Sequence, residues 1–160
     1  MEQVKEDGKA RSIGVSNFLE SHLETVLQTA TIPPSINQTE YHTYLQHGNL
    51  LPYQKSKDIA LAAYAPLTPI TKARPGPCDE IFASLAKKYF VNEGEIALRW
   101  CIDQGIVAIT TSAKQERLSD YLRVTAFKLT PKEIEGLNKA GAGKHFRGFW
   151  QKQFSDDDRR

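Results

Sequence analysis

Few of the features that announce a function are present in this chain. It has 2 cysteines and 1 methionine in 160 residues. Cys78 and Cys101 lack the spacing of a metal site or a disulfide framework, and they read as reduced thiols of a cytosolic protein. Charge of one sign is not in excess: 21 basic side chains face 19 acidic ones, for a net +2. With no basic stripe and no nucleic-acid-binding module, nucleic acid is not an expected partner. Long apolar runs are missing as well. The longest, Ile59 to Leu67, contains Tyr64 and Pro66 and falls far short of the roughly 20 residues a membrane helix needs. The start, Met1-Glu2-Gln3-Val4-Lys5-Glu6-Asp7, has no apolar core of the kind a secretory signal carries. No repeat, low-complexity tract or flexible linker breaks the first 143 residues, which read as one unit (1–143) followed by a loosely held tail (144–160).

What the chain does have is a rhythm. Four segments, Ser16-Asn17-Phe18, Asn37-Gln38-Thr39-Glu40-Tyr41-His42, Ala63-Tyr64-Ala65-Pro66-Leu67 and Ile109-Thr110-Thr111-Ser112, each close a short apolar run and open a helical one. Strands are expected at 10–16, 35–39, 59–64 and 106–110, where Ile, Val, Ala and Tyr are bounded by turn residues. Leu19, Leu23, Val26, Leu27 and Ala30 mark one face of a helix; so do Ile81, Leu85, Ala86 and Tyr89, and less cleanly Ile96, Leu98, Trp100 and Ile102. Capping chemistry spells out helix starts at Asn92-Glu93-Gly94-Glu95 and at Thr130-Pro131-Lys132-Glu133, and Ser112 with Gln115 fits the same box. Gly8 should end a first helix that has barely begun.

Strands alternating with helices predict parallel pairing through right-handed crossovers. This is the layout of a parallel β/α barrel, with ligand chemistry at the carboxyl ends of the strands. A closed barrel takes eight such units in about 250 residues, so four units predict an α/β fold that is a partial TIM barrel. Its two edge strands should expose unpaired N–H and C=O groups and an apolar interior, a drive to self-association or edge pairing.

The segments Gly8-Lys9-Ala10-Arg11-Ser12-Ile13-Gly14-Val15-Ser16-Asn17-Phe18, Asn37-Gln38 to His42, Ala63 to Leu67 and Ala97-Leu98-Arg99-Trp100 together resemble the carboxyl-terminal half of an aldo-keto reductase, in order and with family-like spacing over about residues 1–140. The resemblance implies a metal-free enzyme that transfers hydride from NADPH to an aldehyde or ketone, with NADH as the other candidate cofactor. It implies that Ser16, Asn17 and Gln38 hydrogen-bond the nicotinamide carboxamide, that Tyr64 stacks on the nicotinamide ring, and that Leu67 lies against the pyrophosphate. Thr111 and Ser112 through Arg117 match the site of the adenosine 2′-phosphate, with Asp120 and Tyr121 against the adenine. A helix start plus an arginine fork suits a phosphate.

Departures from the family pattern are specific. Thr111 stands where lysine is usual, Tyr121 where asparagine is usual, Asp120 where glutamate is usual, and Ala65 where serine is common. Losing one of two cations at the phosphate should weaken the NADPH preference while Arg117 retains it. The family's proton-transfer set of aspartate, tyrosine, lysine and histidine has no counterpart here; Asp58 and Tyr64 come nearest, one residue too far apart. The chain alone is therefore expected to be inactive, a truncated part of a carbonyl reductase that acts on a small carbonyl substrate only when completed. A second reading is a non-catalytic regulatory or partner subunit with the same fold, and a third is a truncated gene product without activity.

Each site residue also has a structural reading. Asn17 with Glu20, and Ser112 with Gln115, fit helix caps; Tyr64 fits a core aromatic; Arg117 fits a solvated helix residue. His42 reads as hydrogen-bonded structure. The tail Lys144-His145-Phe146-Arg147-Gly148-Phe149-Trp150 fits both a cover over the pocket, as in the family, and packing on the barrel wall.

Overall fold

A computed structural model describes residues 1–151 and 153. In chain order the elements are α1 (Glu2–Glu6), β1 (Val15–Ser16), α2 (Glu20–Leu27), β2 (Ile36–Glu40), α3 (Leu50–Ser56), β3 (Ala60–Tyr64), α4 (Thr68–Thr71), α5 (Asp79–Tyr89), α6 (Glu93–Asp103), β4 (Val107–Ala108), α7 (Gln115–Arg123) and α8 (Pro131–Ala142). The strands form one parallel sheet in the order β1-β2-β3-β4, as right-handed β/α crossovers require. Ser16 lies beside Gln38, and Glu40 beside Tyr64.

The two edge strands are shorter than the sequence suggests. The run 10–16 pairs only at Val15–Ser16, and 106–110 only at Val107–Ala108. A strand with one neighbour can pair only where that neighbour is present, and single bonds carry the contact a little further: Ser35 N–H to Ile13 O and Ile109 N–H to Ala63 O. The first helix, Glu2–Glu6, is followed by Gly8, whose φ of +71° is a left-handed conformation that glycine adopts at no steric cost. The apolar pattern did not reveal α3 or α4.

Capping sorts the helices. Asn92 and Thr130 form the expected boxes with Glu95 and Glu133, with Pro131 in the first turn. Two other expectations are corrected. Leu19 caps α2, its N–H bonded to His22 Nδ1, and that helix stops at Leu27, short of Ala30. Asn17 has φ +58°, a left-handed conformation that carries the chain away from the strand instead of into a helix. Ser112 caps nothing either, since its hydroxyl accepts the Lys114 N–H in a local turn and α7 begins only at Gln115.

The core lies between the sheet and helices α2, α3, α5, α6 and α8, around Leu23, Leu50, Leu61, Ala63, Phe82, Ile96, Trp100 and Leu137. The Ala97–Trp100 motif belongs entirely to this layer. Arg99 forms a buried ion pair with Asp103 and donates to Val124 O at 2.9 Å, while Asp103 accepts the Leu129 N–H at 2.7 Å. Trp100 donates to Asn138 Oδ1 and stacks on Tyr41 at 5.5 Å. Cys78 and Cys101 are buried free thiols, both pushed up by burial.

Strand alternation puts Ser16, Ile36, Gln38, Glu40, Ala60, Ala62, Tyr64 and Val107 on the opposite face. Ser16, Gln38, Ala60 and Val107 are exposed there. The apolar surface of this face, Ile36, Ala60, Ala62 and Val107 with the Tyr64 ring, is interrupted by the polar Ser16, Gln38 and Glu40. The described part of the tail is not loosely held. Phe146 N–H bonds Tyr44 O, Lys144 bonds the carbonyls of Ala73 and Pro75, and the backbone at 148–149 sits on Glu40. Of the expected unit 144–160, residues 152 and 154–160 lie outside the described residues. Among the described residues no helix is long and apolar enough to cross a membrane.

Candidate cofactor site at the strand ends

Three strand ends converge at one place. The carbonyl of Gln38 accepts both the Ser16 hydroxyl, at 2.8 Å, and the Asn17 N–H, at 2.9 Å. The Asn17 side chain donates to Ser16 Oγ at 3.3 Å and accepts the Tyr64 hydroxyl at 2.9 Å. Ser16, Asn17, Gln38 and Tyr64, drawn from β1, β2 and β3, therefore form one connected patch. Its geometry depends on the left-handed turn at Asn17, which asparagine tolerates better than most side chains. Ala65, directly after Tyr64, is also left-handed, with φ +53°, so the backbone leaves β3 sharply. Tyr64 is half-buried, and its hydroxyl is pushed up to about 12 by burial and by the nearby Glu40 charge. It stays protonated and serves as a donor to Asn17.

Leu67, three residues after Tyr64, opens a groove enclosing about 460 Å³ that is lined also by Gly94, Thr111, Arg117, Asp120 and Tyr121. Of the residues expected at an adenosine 2′-phosphate end, four meet here; Ser112, turned to Lys114, does not line the groove. Arg117 is exposed and has no ion-pair partner among the described residues. Asp120 is engaged, accepting from Asn92 Nδ2 at 3.0 Å and paired with Arg123 at 3.0 Å. Its first effect is to tie α7 to the start of α6. Arg123 also reaches the buried Glu95.

The residue that sequence reasoning passed over is Glu40. It lies two positions after Gln38 on the same strand face, and that alternation was the available signal. Its carboxylate is 1 % exposed. His42 Nε2 donates to it at 3.1 Å, Gly148 N–H at 2.8 Å and Phe149 N–H at 3.0 Å. His42 Nδ1 accepts the Tyr44 N–H, which leaves the ring proton on Nε2. Burial holds His42 below its ordinary value and therefore neutral. Burial works against ionisation of Glu40 too, but its hydrogen bonds outweigh that and keep it below the usual carboxylate range. The structural reading of His42 is the one the geometry supports.

A parallel α/β sheet whose polar side chains gather at the carboxyl ends of its strands defines a class of ligand-binding α/β proteins. Within that class the comparisons are specific. The model of the "Aldo/keto reductase family" matches residues 1–142, and the chain belongs to that family. It is 37% identical over 151 residues to an NAD/NADP-dependent indole-3-acetaldehyde reductase of Schizosaccharomyces pombe, covering 93% of this chain and 53% of that protein. It is 34% identical over 161 residues to an NADPH-dependent alpha-keto amide reductase of Saccharomyces cerevisiae, covering 96% and 52%. Among solved structures, an aldo-keto reductase from a Medee basin deep-sea metagenome library superposes with a TM-score of 0.83 at 36% identity, covering 91% of this chain and 53% of that one. A Bombyx mori aldo-keto reductase in complex with NADP gives 0.80 at 31% identity, covering 87% and 47%. The chain spans about half the length of the relatives it matches.

Proposed function

We propose that this chain is the cofactor-holding part of an NADP(H)-dependent reductase that converts a small carbonyl compound to an alcohol. The observation that carries the reading is the connected patch of Ser16, Asn17, Gln38 and Tyr64, which leads through Leu67 to the groove beneath Arg117. The residues fit a dinucleotide on their own chemistry. Ser16 and Gln38 are open to solvent, Tyr64 offers a half-buried flat ring, and Arg117 is a cation with no competing partner among the described residues. In this reading Ser16, Asn17 and Gln38 hold the carboxamide and Tyr64 supports the nicotinamide ring. Leu67 borders the pyrophosphate, Arg117 and Thr111 face the 2′-phosphate, and Tyr121 with Asp120 lies near the adenine. Ser112 contributes by shaping the turn before α7. The bound dinucleotide would supply the hydride.

The four-stranded sheet is read as an arc of a β/α barrel, with residues 1–143 as the cofactor-holding unit and 144–160 as its tail. The assignment to the carboxyl-terminal half rests on the order of the motifs; a share of about half the relatives' length fits either half. The edges of β1 and β4 have free pairing positions that the rest of a barrel, or another chain, would fill. Tyr64 is not the acid of this reaction, because its hydroxyl is committed to Asn17.

Titration with NADPH and NADH tests the reading. The chain should bind dinucleotide, and Tyr64→Ala should weaken both cofactors by about tenfold, in keeping with about 1–3 kcal/mol for a base on an aromatic ring. The chain alone should reduce no aldehyde above a blank. No binding of either cofactor would contradict the reading, and turnover would mean that an acid is present here.

A further inference from the structure

The tail and the Tyr64 ring are joined through one buried carboxylate. Glu40 sits beside Tyr64 in the β2–β3 ladder and accepts two consecutive tail N–H groups, one on each oxygen. Room there is so limited that a Cβ at Gly148 would come within 3.0 Å of Glu40 Oε1. So seated, the tail places Phe149 edge-to-face with Tyr64, centroids 5.7 Å apart at 86°. Lys72, at the end of α4, lies over the Phe149 ring at 4.3 Å. Tyr64 is thus fixed twice, by Asn17 at its hydroxyl and by Phe149 at its ring, while Ser16 and Gln38 stay open.

We propose that Glu40 is a positioning residue of the dinucleotide site: its carboxylate seats the tail at 148–149 so that Phe149 braces Tyr64 in the orientation the nicotinamide ring needs. The proposal rests on the reading of Tyr64 as the ring platform. A neutral amide at position 40 keeps one acceptor but turns an N–H₂ group toward donors, so one clasp bond is lost and one contact becomes repulsive. The adenosine end, on α7 and the 110–112 segment, is not joined to this clasp and should not respond.

The test uses the full chain with NADPH and with adenosine 2′,5′-bisphosphate as a probe of the phosphate end alone. In Glu40→Gln, amide exchange at Gly148 and Phe149 should accelerate by at least about tenfold, NADPH should bind about tenfold more weakly, and the bisphosphate should bind as in the parent. Phe149→Leu, at a residue 40% exposed, keeps both backbone donors. Its amides should exchange as in the parent while NADPH still weakens by about threefold or more. Should Glu40→Gln fail to fold, Phe149→Leu alone decides. Faster exchange with parent-like NADPH binding, or parent-like NADPH binding in Phe149→Leu, overturns the positioning role and leaves the site reading standing. A parent chain that binds neither nucleotide overturns the site reading, and this proposal with it. Equal losses for NADPH and the bisphosphate mean that Glu40 supports only the fold.

Discussion

On the helix side of the sheet, Trp100 is 1 % exposed and the buried Arg99–Asp103 pair is tied to backbone groups of the segment between α7 and α8, at Val124 and Leu129. On the other side, Ser16 and Gln38 are open to water and two non-glycine residues, Asn17 and Ala65, take left-handed backbone angles next to half-buried Tyr64. Both faces carry family-like motifs, but they use them differently. The Ala97–Trp100 motif is packing: every polar atom cited for it is spent on a neighbour in the same layer. The strand-end motifs bond to one another, and they leave Ser16 and Gln38 exposed to water. Family resemblance therefore mixes residues retained for the fold with residues that can hold a ligand, and burial separates them.

The contrast predicts that substitutions in the first region change stability without changing which cofactor is preferred, and the reverse for the second. Asp103→Ala should give the largest effect, a loss of about 3–5 kcal/mol in denaturant unfolding, because it leaves the Arg99 charge buried and the Leu129 N–H without its acceptor. Any folded fraction should keep the parent ratio of NADPH to NADH affinity; a changed ratio would break the division.

A smaller effect belongs to Glu133, which Lys88, Tyr89, and the Thr130 N–H and hydroxyl all contact. Burial raises its pKa, but these donors outweigh that and bring it down from 4.5 to about 2. A depressed carboxylate stabilises the fold above its unfolded value and loses that contribution as pH falls from about 4.5 toward 2. Stability followed across that window should decline, and Glu133→Gln should flatten the decline. An unchanged slope would show that the α5–α8 contact is not tuned by this charge. Least in size, Thr111→Lys at the exposed rim of the groove should strengthen NADPH by a few-fold and NADH hardly at all, since exposed ion pairs contribute about 0.2–1 kcal/mol. A parallel gain for both cofactors would place residue 111 away from the phosphate.

What the sequence revealed follows from how each signal is encoded. The four parallel strands, α5, α6 and α8 were legible because apolar period and cap chemistry are local, as Asn92–Glu95 and Thr130–Glu133 show. The edges of β1 and β4 were not, because their length is set by the partner strand. Asn17 reads as a cap from spacing alone; its left-handed turn is set by the bonds to Gln38 and Tyr64. The grouping of Ser16, Asn17, Gln38 and Tyr64 was legible from the motifs. Alternation puts Glu40 on the same face as Gln38, but its bonds to the tail were not legible, because the donors lie 108 and 109 positions away.

Titrating NADPH and NADH against the parent chain and Arg117→Ala tests whether the strand ends and the α7 groove hold one dinucleotide with its 2′-phosphate under Arg117. A charge-assisted contact contributes about 1.5–3 kcal/mol, and NADH lacks the group that would receive it. NADPH binding should weaken by about tenfold or more while NADH binding stays nearly unchanged. Equal losses for both cofactors, or no loss for either, would contradict that arrangement.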